Sequence, residues 1–265
     1  MEKHIQFASL AFIFSLILAA PCYAQTQLPE GRVADYNRHA WLVYNGDFRL
    51  TSRWGVHTEA QWRRANGLRD AQQNLVRAGL NYHLSNNLLL TGGYAFADTH
   101  PYGEYPAAKA FPEHRLYQQV LLRSNEGFLQ VQHRYRLEQR WVRFANNPEY
   151  TYLNRARYQL RLAAPLLGPK LTAGMPYLVA SNELFINFGN NVSRNIFDQN
   201  RAYAALGYMI RKNVNIEAGY LHQLVQQRHG TVFEHNNTLQ LSLNLNLDLR
   251  KEGLGVPEIA PAATE

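Results

Sequence analysis

Glu113, Arg115, Arg134, Arg136, Glu138, Arg140, Arg155 and Arg157 stand two apart within three short runs of the chain. On an extended backbone, residues two apart share a face, so each run offers a row of guanidinium and carboxylate groups. Rows of arginine can hold phosphate or carboxylate through paired hydrogen bonds, and in a pore they attract anions. A small anionic solute is the partner this chemistry implies. The same residues also suit a structural network, because arginine beside glutamate can fill a narrow, wet space. Both readings are carried forward.

Other chemistry is weakly supported. Beyond the leader the serines are Ser52, Ser85, Ser124, Ser181, Ser193 and Ser242. Ser85 and Ser124 fall in turn sequences, where turn chemistry accounts for them. No His-X-Ser pair or Gly-X-Ser-X-Gly elbow accompanies Ser181 or Ser193. A lipid-modifying hydrolase therefore remains only an alternative, and no enzyme activity is expected. The 10 histidines are scattered, without a His-Glu-X-X-His motif or a cysteine partner. No metal and no cofactor are expected.

The beginning of the chain, MEKHIQFASLAFIFSLILAAPCYAQ, reads as a secretory signal peptide over 1–24, cut after Ala24. Cys22, the single cysteine, leaves with it, so the mature chain has neither a disulfide nor a thiol nucleophile. The formal charge of +7 comes mostly from arginines spread through the chain, with no clustered basic arm. That pattern argues against a nucleic-acid partner. No later segment approaches eighteen consecutive apolar residues, so helical membrane spans are excluded.

The elements that must position these residues announce themselves by period two. In TLQLSLNLNLDLR every second residue from Leu239 to Leu249 is leucine, and Gln240, Ser242, Asn244, Asn246 and Asp248 stand between them. RWGVHTEAQWRR, LVRAGLNYHL, LQVQHRYRLEQRW and RARYQLRLAA repeat the scheme. Alternation of this length, repeated along the chain, is a strong strand signal. Short turn sequences at 85–87, 124–127 and 211–213 alternate with long polar connections. This is the layout of an antiparallel up-and-down transmembrane β-barrel of the Gram-negative outer membrane, with outer-membrane lipid and the barrel-assembly machinery as partners. Trp54 and Trp62 share one apolar face, on the order of 20 Å apart along a membrane normal, which matches two aromatic girdles. A soluble periplasmic lipocalin-like barrel is the alternative, since it too alternates, but with the apolar face inside.

The pattern yields about ten strands over 53–250, with twelve as the alternative. An even number keeps both termini on one side, so HAWLVY at 39–44 is assigned to an N-terminal extension or short accessory strand within 25–52. The tail 251–265 is expected to be disordered. Taking SNEG as the tight turn sets Arg115 opposite Arg136 and Glu113 opposite Glu138. AWLVY, RWGVHTEAQWRR and above all EHRLYQQVLLRSNEGFLQVQHRYRLEQRW resemble an uncharacterised bacterial family, the domain of unknown function numbered 2490. The resemblance spans most of the mature chain. It implies an outer-membrane barrel behind a signal peptide, without an assigned activity or site residues.

Overall fold

The computed structural model describes residues 31–103, 109–144 and 147–250. The expected leader at 1–24 and tail at 251–265 lie outside the described residues. The described residues from Ala34 onward form one compact unit. Within it runs an all-β closed barrel of eleven strands. They are β1 (Val33–Arg49), β2 (Trp54–Ala65), β3 (Asp70–His83), β4 (Leu88–Thr99), β5 (Phe111–Glu126) and β6 (Leu129–Val142). β7 (Thr151–Pro165), β8 (Pro176–Phe188), β9 (Phe197–Arg211), β10 (Val214–Gln226) and β11 (Val232–Asp248) complete it. Each strand pairs with the next in sequence, and β1 meets β11 to close the ring.

The assignment of 25–52 to an extension or short accessory strand is corrected here. Val33–Arg49 is a seventeen-residue strand of the wall. Its apolar alternation is diluted by Asn37, Arg38, Asn45 and Asp47, and the expectation of an even count concealed it. An odd ring needs one parallel pair, and the seam supplies it. Tyr36 stacks on His235 at 4.9 Å, Asn45 donates to Asn244 at 2.9 Å, and Leu249 N–H donates to the Arg49 carbonyl at 2.8 Å. Both residue numbers rise together along the contact, so β1 and β11 run the same way. The chain therefore enters at one end and leaves at the other. The entry end carries the connections 100–110, 143–150 and 189–196; the exit end carries the short ones at 127–128 and 212–213 and the longer 166–175.

The alternation resolves into an inverted barrel. Leu80 is 61 % exposed and Leu239 60 % exposed on the outer face, while Glu138 and Glu234 are 0 % exposed inside. Strand twist draws in the waist, and the polar inner rows meet across it. Two facing glycines shape one wall of that waist. Gly79 opposes Gly93, and Gly93 opposes Tyr117 on β5. A Cβ on Gly93 would lie 2.9 Å from the Tyr117 ring and 2.6 Å from the Gly79 Cα, so only glycine lets the ring rest there.

The β5–β6 register differs from expectation. Glu126 opposes Leu129, making Gly127–Phe128 the turn, with Gly127 at φ +63°. Arg115 consequently faces Arg140, Gln119 faces Arg136, and Tyr117 faces Glu138. The like-charged pair Glu113–Glu138 does not form.

A parallel seam has a direct chemical test. Asn45→Cys with Asn244→Cys, in the chain lacking its leader and hence other cysteines, should cross-link within one molecule under mild oxidation. A twelfth strand between β1 and β11 would leave the two thiols unlinked.

Candidate ionic site in the barrel waist

All eight expected residues face the interior. The structure joins seven of them in carboxylate–guanidinium pairs and sets the eighth, Arg136, on an amide. Glu138 is the hub. Its Oε2 accepts from Arg155 Nε at 2.9 Å and Nη2 at 2.6 Å, and its Oε1 from Arg157 Nη1 at 2.7 Å. Arg77 Nη2 approaches the same Oε1 at 3.5 Å, and Arg77 also pairs with Glu59. Arg157 bridges onward to Glu183 Oε1 through Nε at 2.9 Å and Nη2 at 2.7 Å, and Arg134 reaches that oxygen at 2.8 Å. Arg155 Nη1 donates to Asp198 at 2.8 Å.

Glu113 gathers a second group. Arg115 grips it with Nε at 2.6 Å and Nη2 at 2.8 Å, and Arg140 donates Nη2 at 3.1 Å and also its Nε. Arg115 and Arg140 are direct cross-strand neighbours, an unfavourable arrangement for like charges. The shared carboxylate offsets it.

Arg136 is the exception. Its Nε and Nη2 donate to Gln119 Oε1 at 2.9 and 2.5 Å, and its Nη1 is buried without a partner among the described residues. Arg63 and Arg201 likewise lean on amides, Gln61 and Gln199. Aromatic faces take up the remaining charge. Arg63 lies 4.0 Å and Arg201 5.2 Å from the Trp41 ring, while Arg157 and Arg201 lie 4.3 and 4.7 Å from Phe185. Arg77 and Arg136 stand over Tyr117 at 5.1 and 5.2 Å. Desolvated cation–π contacts of this kind contribute about 2 kcal/mol each.

Several partners were not anticipated. Glu183, Asp198 and Glu217 join Glu59, Glu113 and Glu138 as interior acids; Arg161 pairs with Glu217 at 2.5 Å, away from the hub. Inward parity in β8 marked Glu183 as available, but no local pattern named its partners. At the entry end Tyr102 donates to Glu234 at 2.8 Å from the connection after β4. Burial, with the Glu234 carboxylate beside it, pushes the Tyr102 phenol well above its ordinary range, so it stays a donor. Of the serines considered for catalysis, Ser181 stands in register with Arg161 and Tyr203, and Ser193 lies in the 189–196 connection. Among the described residues no cluster of His, Cys, Asp and Glu could hold a metal ion.

Residues 38–234 match the family described as a protein of unknown function, DUF2490. The chain belongs to that family. The DUF2490 match spans β1 through the start of β11, so it takes in every member of the waist network. An uncharacterised protein of Methylorubrum extorquens is 30 % identical over 191 residues, covering 71 % of this chain and 77 % of its own. No solved structure matches.

The hub should be costly to break. Glu138→Ala strands buried guanidinium groups and should lower unfolding stability by roughly 3–5 kcal/mol. Glu149→Ala, in an exposed connection, should change it by less than about 0.5 kcal/mol. Denaturation followed by tryptophan fluorescence makes the comparison.

Proposed function

We propose that this protein is an outer-membrane β-barrel of the Gram-negative envelope whose waist is closed by its own ionic network. The inverted facing carries the reading: an apolar belt encircles the strands, and charged groups are buried inside. Two apolar grooves on the outer surface together touch all eleven strands. A belt this large on a water-soluble particle would drive association. Hydrocarbon suits it, and ring closure suits hydrocarbon, because no backbone group is left at an edge. Aromatic groups border the belt, with Trp54 against Tyr82 at the exit end and Trp141 against Tyr152 at the entry end. Three of the four longest connections then face outward, and the two shortest turns, 127–128 and 212–213, face the periplasm, as is usual. The 1–24 leader supports export, and strands of this kind need the barrel-assembly machinery. A lipocalin-like binding barrel fits poorly, since its apolar face would line the cavity.

The interior favours a structural barrel over an open channel. A barrel of this size is only slightly wider than one filled by side chains, and here Glu138, Arg77 and Arg157 meet across it. A second reading rests on Arg63, Arg136 and Arg201, whose hydrogen bonds go to amides rather than carboxylates. That excess of positive charge would make any ion path prefer anions.

Fractionation, assembly of variants and planar-bilayer recording test these readings. The protein should fractionate with the outer membrane and migrate faster unheated than boiled, and Leu243→Arg should impair assembly more than Asn244→Arg. Leu243 faces outward at 38 % exposure, whereas Asn244 bonds inside to Asn215. Arginine facing mid-bilayer costs about 2–4 kcal/mol; equal effects at the two sites would contradict the facing. In a planar bilayer the wild type should pass no steady current. A steady anion-selective current, weakened by combined Arg136→Gln and Arg157→Gln, would favour the second reading.

A further inference from the structure

The outer surface is not a uniform belt. A groove of about 910 Å³ crosses the seam, lined by outward groups that include Leu42, Ala60, Trp62, Val76, Leu206 and Leu243. Ala60 and Ala218 are small among larger neighbours, which leaves room between them. Unstructured annular lipid needs only an apolar surface; a groove favours chains held in one place.

Directly beyond the groove, toward the entry end, the same outward rows turn basic. On β1 the row runs from Leu42 through Ala40 to Arg38, and on β2 from Ala60 through Trp62 to Arg64. Ala40 opposes Arg64, so Arg38 and Arg64 are diagonal neighbours on one face. Arg69 ends the β2–β3 connection at the same end, one residue before Asp70, which opposes Ala65. The Arg64 guanidinium stands over Trp62, 4.0 Å from the ring centre, and is steadied by Asn74 Oδ1 at 3.0 Å and the Arg63 carbonyl at 2.9 Å. Those bonds use Nη1 alone. Among the described residues no carboxylate forms an ion pair with Arg38, Arg64 or Arg69, and the adjacent Asp70 accepts from Asn66 at 2.6 Å. Arg38 and Arg69 are exposed.

We propose that this surface docks one multiply acylated, phosphorylated lipid of the outer leaflet, its phosphate on Arg38, Arg64 and Arg69 and its chains in the groove across β1–β3 and the seam. Charge complementarity selects the occupant. Three guanidinium groups at the edge of an apolar groove match an anionic head joined to hydrocarbon, and arginine suits phosphate through paired donors. A zwitterionic lipid would bring its own cation to the same place. A protein partner would need acidic groups within one headgroup's depth of an acyl layer. The inference rests on the outer-membrane reading and names a partner for it.

The test uses the refolded full-length mature barrel in nanodiscs of zwitterionic phosphatidylcholine, titrated with bis-phosphorylated hexa-acyl lipid A and with its dephosphorylated form. Native mass spectrometry counts bound lipid. The wild type should bind the phosphorylated form at least tenfold more tightly. Combined Arg38→Gln, Arg64→Gln and Arg69→Gln should abolish that preference, and Arg53→Gln, on the exit end, should keep it. Ala60→Phe, which fills the groove, should weaken binding of the acylated lipid with the arginines intact. Equal binding of both lipid forms, or no loss in the triple variant, overturns the docking site. Heat-modifiable migration in the same discs separates the two readings: a barrel that inserts but shows no phosphate preference refutes only the docking site, and a chain that never inserts refutes both.

Discussion

Backbone pairing around a closed ring is the constraint from which the other features of this barrel follow. Each strand must satisfy both of its edges, and with eleven strands the last edge can be met only in parallel. Closure in turn fixes the parity of every residue. Once β1 and β11 are joined, odd positions of β1 such as Trp41 and Val43 are committed to the interior, and Leu42 to the outside. A slip of one residue anywhere would send arginines outward and leucines inward. The ring thus creates the interior and dictates which side chains must fill it.

What fills it is mostly guanidinium, carboxylate and aromatic ring. Bringing these charges out of bulk water is costly, and the Coulombic return alone often does not repay it. The waist reduces the deficit by sharing: Glu138 serves three arginines, Glu183 two and Glu113 two. The flat faces of Trp41, Phe185 and Tyr117 receive Arg63, Arg201 and Arg136, whose hydrogen bonds go to amides. Arginine is the residue suited to this, because its planar group can bond along its edge while stacking through its face. The glycine pair at 79 and 93 belongs to the same solution, since it seats the Tyr117 ring against the wall.

Much of this was legible from residue spacing, and its failures are instructive. The leucine row ending at Leu249 announced a long two-faced strand because parity is a local property. Polar residues at Asn37, Arg38, Asn45 and Asp47 blur the pattern of β1, so spacing alone makes it no more than an accessory segment. The hairpin register went astray at SNEG. Only Gly127 there adopts a positive φ, so the strand continues through Ser124, Asn125 and Glu126 before turning. The eight interior residues are legible by type and parity, yet most of their pairing is not. Partners such as Asp198 for Arg155 lie on non-adjacent strands, and period two carries no information about what stands across a lumen.

The seam also shapes how the chain reaches its final state. Ten neighbouring pairs can form by zipping away from a local turn, each needing only a short loop to close. The pairing of β1 with β11 has no turn to template it. Asn45 must find Asn244 across 199 residues of chain. Contacts so distant in sequence form late, because the loop entropy is spent before any bond rewards it. Until then the sheet is an open ribbon with two unpaired edges, and edges of that kind recruit strands from other molecules. Ring closure is therefore the slow step of assembly, and the interval before it is when this chain is most exposed to misassociation.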